Sequence, residues 1–538
     1  MSFPPPSLDA WRAQVDKELA GKPFDKTLVH ETLEGIAIAP LYTGRPSGLP
    51  VLDPGSSRFS ICMRHERGAR ASDLAADIVG GADALWFPVQ DAPDVLKHDV
   101  TKVFLLADAD EPPSEGHPLA GASGLVAFDL HGRAPWSAVQ REVARLAGSW
   151  RQAEAAGAPS ALVVSTLPYH DAGADAVEEV ALSLATGAAY LRALLEADLS
   201  PDLLAQHLLL RVAVGRDTFL ELCKVRALRL GWRKLMAAVD APGAPRVHAV
   251  CSSRTLAARD PWVNMLRVTT QVFSAVLGGA DLVTPHAFDE LLETPSALGR
   301  RVARNTGLVL REESALGRVA DAGAGSYYFD TLTDSLARAA WARFRQLEAE
   351  GGIARARESG AIDERLEATR RARRDAIARR RMAVLGVSEF ANLDEELPSP
   401  PRADHASPGR DAAPFEALRA LAEKHPGEVL LVTLGSPREA RPRAGFASSF
   451  FAAGGLRTRE TSADEACAIA CLCGTDERYA AEAVARARAL KVAGCKRVVL
   501  AGRPGPLEAE LRAAGVDAFI FMGCDAAGIL EALMASWR

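Results

Sequence analysis

The sequence predicts an α/β protein: a (β/α)8 barrel followed by a smaller, doubly wound domain of flavodoxin-like plan. Three observations predict it. From Phe59 to Thr284, short apolar runs alternate with helical patterns. A Pro/Ser/Asp-rich, apolar-poor stretch, Leu397–Pro414, then breaks the pattern as a linker would. From Gly427 the alternation resumes.

The chain opens with an arm, residues 1–57. It carries an amphipathic helix over about Leu8–Leu19, then Gly21–Lys26 and a short hydrophobic run, Gly35–Tyr42. The arm is rich in Pro and Gly and has too little apolar surface to fold alone. It must lie on its own body or on a partner, and we assign it as a subunit contact.

The barrel domain is expected over residues 58–396. Its strands are Phe59–Met63, Ala84–Pro88, Val103–Leu106, Leu125–Leu130, Ala161–Ser165, Leu209–Val214, Val247–Cys251 and Asp281–Thr284. Helices fall at Ala71–Val79, Trp136–Ala147, Asp175–Leu195, Asp217–Val239 and Trp262–Leu277. The gap Ala107–Gly124 is short and polar, so that unit is irregular. Asp260-Pro261 before Trp262 reads as a helix start, with Asp as N-cap and Pro at N1. The unbroken length of the alternation favours closure over an open sheet.

Long helices follow at Ser296–Arg304, Asp330–Gly351 and Ile362–Ala383, then an irregular segment, Leu385–Glu396. The glycine-rich stretch Ala322–Tyr328 reads as a tight turn, because no strand precedes it to make a phosphate cradle. A linker is assigned to 397–426 and the second domain to 427–538. That domain's strands are Val429–Leu434, Leu456–Glu460, Ala468–Leu472, Arg497–Ala501 and Ala518–Met522. Its helices are Arg443–Ala453, Arg478–Ala493, Pro506–Ala514 and Ala526–Ser536.

Composition excludes several function classes. The 538 residues are 48% hydrophobic and 25% charged, with a net charge of −6, so nothing suggests nucleic acid as a bulk partner. The one basic concentration, Glu364–Arg381, mixes in acids and has a helical apolar stripe of Leu366, Ala372, Ile377 and Ala378, which reads as a solvated helix face or subunit contact. The eight cysteines sit mostly in apolar runs without paired CxxC spacing, so they read as core residues of a reduced compartment and not as a zinc site. Cys471 and Cys473, on one strand, should point to one face. No signal peptide or apolar span is evident, which places the chain in the cytoplasm with no membrane.

In an open parallel sheet, ligands bind beyond the carboxyl ends of the strands. The loop Gly435–Pro442, after the first strand of the second domain, is therefore where a cofactor would be held. It offers no His and no Cys, and its two prolines remove two backbone donors.

Local stretches along nearly the whole chain resemble the methylmalonyl-CoA mutase family, whose plan is also barrel, linker and flavodoxin-like domain. Trp11 and Lys22-Pro23-Phe24, with Gly35-Ile36 and Pro40-Leu41-Tyr42, resemble the family's N-terminal arm. Asp171-Ala172-Gly173-Ala174-Asp175, Asp260-Pro261-Trp262-Val263-Asn264 and Gly278-Gly279 resemble its barrel motifs. Ala303-Arg304-Asn305-Thr306, Glu312-Glu313-Ser314 and Gly325-Ser326-Tyr327-Tyr328 form the most specific match. Gly386-Val387 and Asn392-Leu393-Asp394-Glu395 resemble the segment that closes the barrel domain.

The departures carry as much information. The family's cobalamin domain has Asp-x-His-x-x-Gly after its first strand, where the His ligates cobalt and the Asp orients it. An ungapped match puts Pro437 at the Asp, Glu439 at the His and Pro442 at the Gly. The family's substrate tyrosine lies in Arg-Gln-Tyr-Ala-Gly, and the nearest match, Arg64-His65-Glu66-Arg67-Gly68, has no tyrosine. Tyr169-His170 resembles a catalytic Tyr-His pair, but the spacing to Ala172-Gly173-Ala174-Asp175 is two residues short, which makes the pair vestigial packing. The resemblance therefore implies the small (β) subunit of a heterodimeric, adenosylcobalamin-dependent mutase that interconverts methylmalonyl-CoA and succinyl-CoA. It implies a non-catalytic chain that stabilises a homologous large subunit, with adenosylcobalamin held by that partner and the acyl-CoA met through the complex. The alternatives are a stand-alone acyl-CoA mutase with altered cobalamin binding, and a binding or regulatory homologue without mutase activity. Arg254 and Arg300-Arg301 are candidates for CoA phosphates in a working barrel, though surface arginines are common. His248 and His286, near strand ends, read as structural histidines.

Overall fold

The computed structural model describes residues 7–50, 58–109, 119, 122–130, 141–147, 160–402 and 409–535. In the arm, helices Leu8–Leu19 and Phe24–Leu28 precede a two-stranded hairpin of β1 (His30–Glu31) and β2 (Ala37–Ile38). The expected helix over 136–147 is helical over 141–147, and its first part lies outside the described residues.

Eight parallel strands close into the barrel: β3 (Ser60–Arg64), β4 (Ala84–Pro88), β5 (Phe104–Ala109), β6 (Gly124–Phe128), β7 (Ser160–Ser165), β8 (Leu208–Val214), β9 (Arg246–Cys251) and β10 (Leu282–Thr284). Closure is made by β10 pairing with both β9 and β3. Strand alternation splits the apolar residues between two cores. Ile61, Leu85, Leu105, Val126, Leu162 and Leu210 face the surrounding helices. Cys62, Leu106, Leu125, Val163, Leu209 and Leu282 fill the lumen. Above that apolar tier lies a polar one. Arg211 donates to Asp108 (2.8 and 3.1 Å) and to His248 Nδ1 (3.3 Å), and Trp86 Nε1 donates to Asp108 (2.7 Å). His248 Nε2 meets Thr284 Oγ1 at 2.8 Å. Because Arg211 must donate to Nδ1, the ring carries its proton on Nε2. Burial first, then Arg211, hold the His248 pKa well below the usual histidine value. The lumen is therefore occupied by side chains, and His248 is satisfied at both nitrogens.

The second domain is a five-stranded parallel sheet in the order β12 (Arg457–Thr461), β11 (Glu428–Thr433), β13 (Ile469–Cys473), β14 (Arg497–Ala501), β15 (Ala518–Ile520). This is the doubly wound order expected, with apolar clusters on both faces. Cys471 and Cys473 share a face, with their sulfurs 4.0 Å apart.

Four expectations need correction. Within the segment expected as linker, Ala413–Lys424 is a helix that buries Phe415, Leu418 and Ala422. It ties the two domains together: Glu416 accepts from Ala258 N (2.7 Å), Glu423 pairs with Arg259 (2.6 Å), and Arg419 donates to Glu395 and Asn392 O (2.7 Å each). Asp260 is not an N-cap. It sits at φ 46 with its N–H on Glu395, and the helix begins at Val263. On the helix Ala361–Ala378 Ile362, Leu366, Arg373 and Ile377 are buried, whereas Ala372 of the expected stripe is exposed. Arg373 turns inward because the carbonyls of Gly173 and Ala174 accept its guanidinium at 3.1 and 3.2 Å. Finally, the helix expected from Arg443 starts at Pro437.

Candidate functional site

That fourth correction reshapes the carboxyl edge of the second sheet. β11 ends at Thr433, Gly435 turns the chain at φ +78, and Ser436 is the N-cap of the helix Pro437–Ala453. Pro437 suits N1, where no N–H is needed. Glu439, at N3, folds back so that Oε2 accepts from the Ser436 N–H and O–H at 2.7 Å each, the carboxylate half of a capping box. Arg478, at the end of the short helix Asp476–Arg478 after β13, approaches the same carboxylate at 3.4 Å. Hydrogen bonds from Ser436, and then the Arg478 guanidinium, hold the Glu439 carboxyl down to about 2. A Cβ at residue 435 would meet Glu439 Oε2 at 2.8 Å and Arg478 Nε at 2.6 Å, so the pair needs glycine there. Pro442 lies inside the helix, where it denies the Arg438 carbonyl a donor.

The expected ligand loop is therefore two turns of helix. Pro437, Glu439 and Pro442 stand in those turns, and residues 427–538 contain no histidine. These residues do not fit cobalamin. No imidazole is available to the cobalt, and the carboxylate at that position is committed to its own helix terminus.

The second candidate, Tyr169-His170, lies on the short helix Leu167–Ala172 after β7, at the carboxyl face of the barrel, where barrel chemistry sits. Both residues are buried, and they serve different networks. The Tyr169 hydroxyl takes a hydrogen bond from Arg357 (3.1 Å). His170 Nδ1 meets Glu179 Oε1 at 2.6 Å, and Nε2 meets Ser252 Oγ at 2.6 Å. Lys224 bridges Glu179 (3.3 Å) and Glu221 (2.6 Å). The order Ser252–His170–Glu179 matches a nucleophile, base and orienting acid. Ser252 is only 2% exposed, however, and the adjacent cavity of about 300 Å³ is lined by Glu179, Arg254 and Thr255 but by neither Ser252 nor His170. The arrangement stores charge and ties the loop after β7 to the loop after β9, without presenting a nucleophile. Burial, then Arg254 and Lys224, keep the His170 pKa well below the ordinary histidine value.

The same cavity touches Asp175, the N-cap of the helix Ala176–Glu196, which accepts from Glu178 N at 2.8 Å. Burial, reinforced by Glu34 and Glu178, pushes its carboxyl up to about 6 against the Glu178 N–H that opposes it. The folded-state value lies above the unfolded one, so the folded chain binds the extra proton between about pH 4 and 6 and stability falls as pH rises through that window. Asp175→Asn keeps a capping side chain and removes this fall. Urea midpoints should show the variant gaining on the parent from pH 4.5 to 7, by about 2 kcal/mol.

Arg254, expected at the surface, is buried, with Nη1 donating to the carbonyls of His170 and Ala174. Arg300 is partly buried against Asp77, while Arg301 is exposed. Arg64–Gly68, the stretch matched to the family's substrate tyrosine, edges a cavity at the ends of β3 and β10 with His286 on its far side. Among the described residues, no cluster of three metal-ligating side chains occurs and no helix is long and apolar enough to cross a membrane. Sequence reading missed Glu179, Lys224, Ser252 and Arg373. The available signal was charge inside apolar helical runs, as in Glu178 and Glu179 at the start of Ala176–Glu196.

Residues 137–437 match the family described as methylmalonyl-CoA mutase. The methylmalonyl-CoA mutase small subunit of Streptomyces virginiae is 35% identical over 99% of this chain and 97% of its own length. That of Propionibacterium freudenreichii subsp. shermanii is 30% identical over 99% of this chain and 95% of its own. The methylmalonyl-CoA mutase of Cereibacter sphaeroides is 30% identical over 72% of this chain and 65% of its own. The barrel, the doubly wound domain and these full-length similarities agree: the chain belongs to the methylmalonyl-CoA mutase family of isomerases.

Proposed function

We propose that this chain is the non-catalytic small subunit of a heterodimeric methylmalonyl-CoA mutase, and that it stabilises a homologous large subunit which holds adenosylcobalamin. The observation that carries the reading is Glu439. It stands where the family's cobalt-ligating histidine is expected and is engaged by Ser436 and Arg478. The filled barrel lumen and the occluded Ser252 support a structural role.

The arm supports the partner. Its helices Leu8–Leu19 and Phe24–Leu28 bury no residue, although Trp11 and Phe24 pack edge to face at 6.2 Å. Further along, Arg45 pairs with Asp330 (2.6 Å) and Tyr42 packs on Tyr328, which anchors the base of the arm to its own barrel. The free part is left for another chain. The acyl-CoA is met through the complex, in the cytoplasm and away from nucleic acid and membrane.

The test is reconstitution. Co-expressed with the large subunit, the full chain should co-elute with it on a sizing column, and methylmalonyl-CoA should be isomerised only by preparations containing the large subunit. Turnover by the isolated chain, or failure to co-elute, contradicts the reading.

A further inference from the structure

Cys467 and Cys495 stand at the amino edge of the second sheet, one just ahead of β13 and the other just ahead of β14. The two strands are parallel neighbours with Ile469 beside Arg497, so two residues earlier the cysteines lie side by side. Lys496 N donates to Cys467 O and Arg497 N to Ala468 O, at 3.0 Å each, which carries the ladder to that point. The backbone of Cys495 is fixed from its other side too. The helix Val484–Val492 ends on Gly494, at φ +100, where Gly494 N donates to Lys491 O (3.1 Å) and Cys495 N to Leu490 O (2.9 Å).

The two sulfurs are 2.9 Å apart, and Cys495 Sγ donates to Glu465 O at 2.9 Å. Non-bonded carbons rest about 3.5–4.0 Å apart and sulfur is larger, so the thiols are pressed inside ordinary contact. A bond of about 2.05 Å needs only a short further closure between two backbones already held in place. Of the eight cysteines, Cys467 alone is not buried. Cys471 and Cys473 make the contrast. They are fully buried, with sulfurs 4.0 Å apart, and they share one strand, whose rise over two residues, about 6.6 Å, lies at the limit a disulfide spans. Burial, then Cys495 and Glu465, push the Cys467 thiol up to about 12, so at rest it is protonated.

We propose that Cys467 and Cys495 are a redox pair, joined by a disulfide when the chain meets a peroxide and released by a dithiol, and that the bond staples the second domain. Cys467, the exposed member, takes the first step. Its Sγ takes an oxygen from hydrogen peroxide, the O–O bond breaks, one water leaves and Cys467 becomes a sulfenic acid. Cys495 Sγ then attacks that sulfur. The S–S bond forms, the S–O bond breaks, and the departing hydroxyl takes the Cys495 proton as a second water. Two thiols lose two electrons in total, and one peroxide is reduced to two waters. A dithiol reverses the bond by exchange, the pattern of transient disulfides in reducing surroundings. The staple ties β13 to β14 and closes the loop 467–495, at the sheet edge opposite the Ser436 helix terminus.

The test exposes the full-length chain, freed of reductant, to excess hydrogen peroxide. Thiols are then counted after denaturation and linked peptides are mapped by mass spectrometry. Two thiols per chain should be lost, with Cys467 and Cys495 in one linked pair of peptides, and dithiothreitol should restore both. The linked chain should unfold with a midpoint for the second domain raised by about 5 °C or more. Cys467→Ser should form no link, and Cys495→Ser should stop at a sulfenic acid on Cys467 that dimedone labels. Retention of all eight thiols, a disulfide at another pair or between chains, or a linked chain no more stable than the reduced one overturns the proposal.

Discussion

Arg226→Ala is expected to destabilise the chain by about 3–5 kcal/mol, the usual cost of removing one member of a buried charge cluster. Arg226 is 1% exposed on the helix Thr218–Ala237 and reaches under the loop 321–326. Its guanidinium pairs with Asp321 and with Asp330 (2.9 Å), and Nε donates to Thr333 (3.2 Å). Asp330 in turn accepts from Gly325 N (3.0 Å), and a Cβ at residue 323 would come within 2.9 Å of the guanidinium. The glycine-rich stretch is thus a turn closed over an arginine, as the missing preceding strand suggested. Truncation leaves Asp330 with Arg45 and removes the cation shared by two buried carboxylates. Arg226→Lys keeps the charge but cannot fork between them, so it should recover only part of the loss. Urea denaturation measures both. A shift in the alanine variant below about 1 kcal/mol would show that the loop does not depend on the clamp.

Lys224→Ala is expected to cost a similar amount, with a distinctive pH dependence. Lys224 is fully buried between Glu179 and Glu221. Burial alone would lower its pKa, but the two carboxylates outweigh it and keep the ammonium charged. Burial pushes the Glu179 pKa up while Lys224 and Arg254 oppose it. Without Lys224 that upward push loses its main opponent. The variant's Glu179 then binds a proton in the folded state at a pH where the unfolded carboxylate does not, so stability falls as pH rises. The difference from the parent should therefore be largest at neutral pH and shrink toward acid. Adding Glu179→Gln and Glu221→Gln should recover much of the loss, because the cost is chiefly that of unpaired buried charge. A deficit independent of pH would mean that packing, and not charge, dominates.

The barrel was legible because its strands are short, continuous apolar runs spaced by helical patterns, and all eight appear where those runs lie. Helix ends were less legible, each for a definable reason. Two prolines in Gly435–Pro442 signalled a loop, yet Pro437 fits the first helical position and the carboxylate of Glu439 secures the terminus, so the helix tolerates Pro442 in its second turn. Asp260-Pro261 has the letters of a cap, but Asp260 is held in a left-handed conformation by Glu395, distant in sequence. The helix Ala413–Lys424 did carry its apolar stripe, Phe415, Leu418 and Ala422, behind a Pro-rich stretch that masked it. The charge networks were beyond reach, since His170, Glu179, Lys224 and Ser252 come from four separate elements and meet only in the closed barrel.

Pro437, Glu439 and Pro442, expected in a loop, stand in the first turns of a helix, with the Glu439 carboxylate folded back onto the Ser436 N–H and O–H. A histidine introduced by Glu439→His would face that same helix terminus, so the substitution alone is expected to confer no cobalamin binding on the isolated chain.

The most direct measurement is cobalamin content by absorbance after anaerobic incubation with excess adenosylcobalamin and desalting. The isolated chain should retain none, and the purified complex with the large subunit should retain one cobalamin per pair of chains. Stoichiometric cobalamin on the isolated chain, or two per pair in the complex, would contradict the assignment of cofactor binding to the partner.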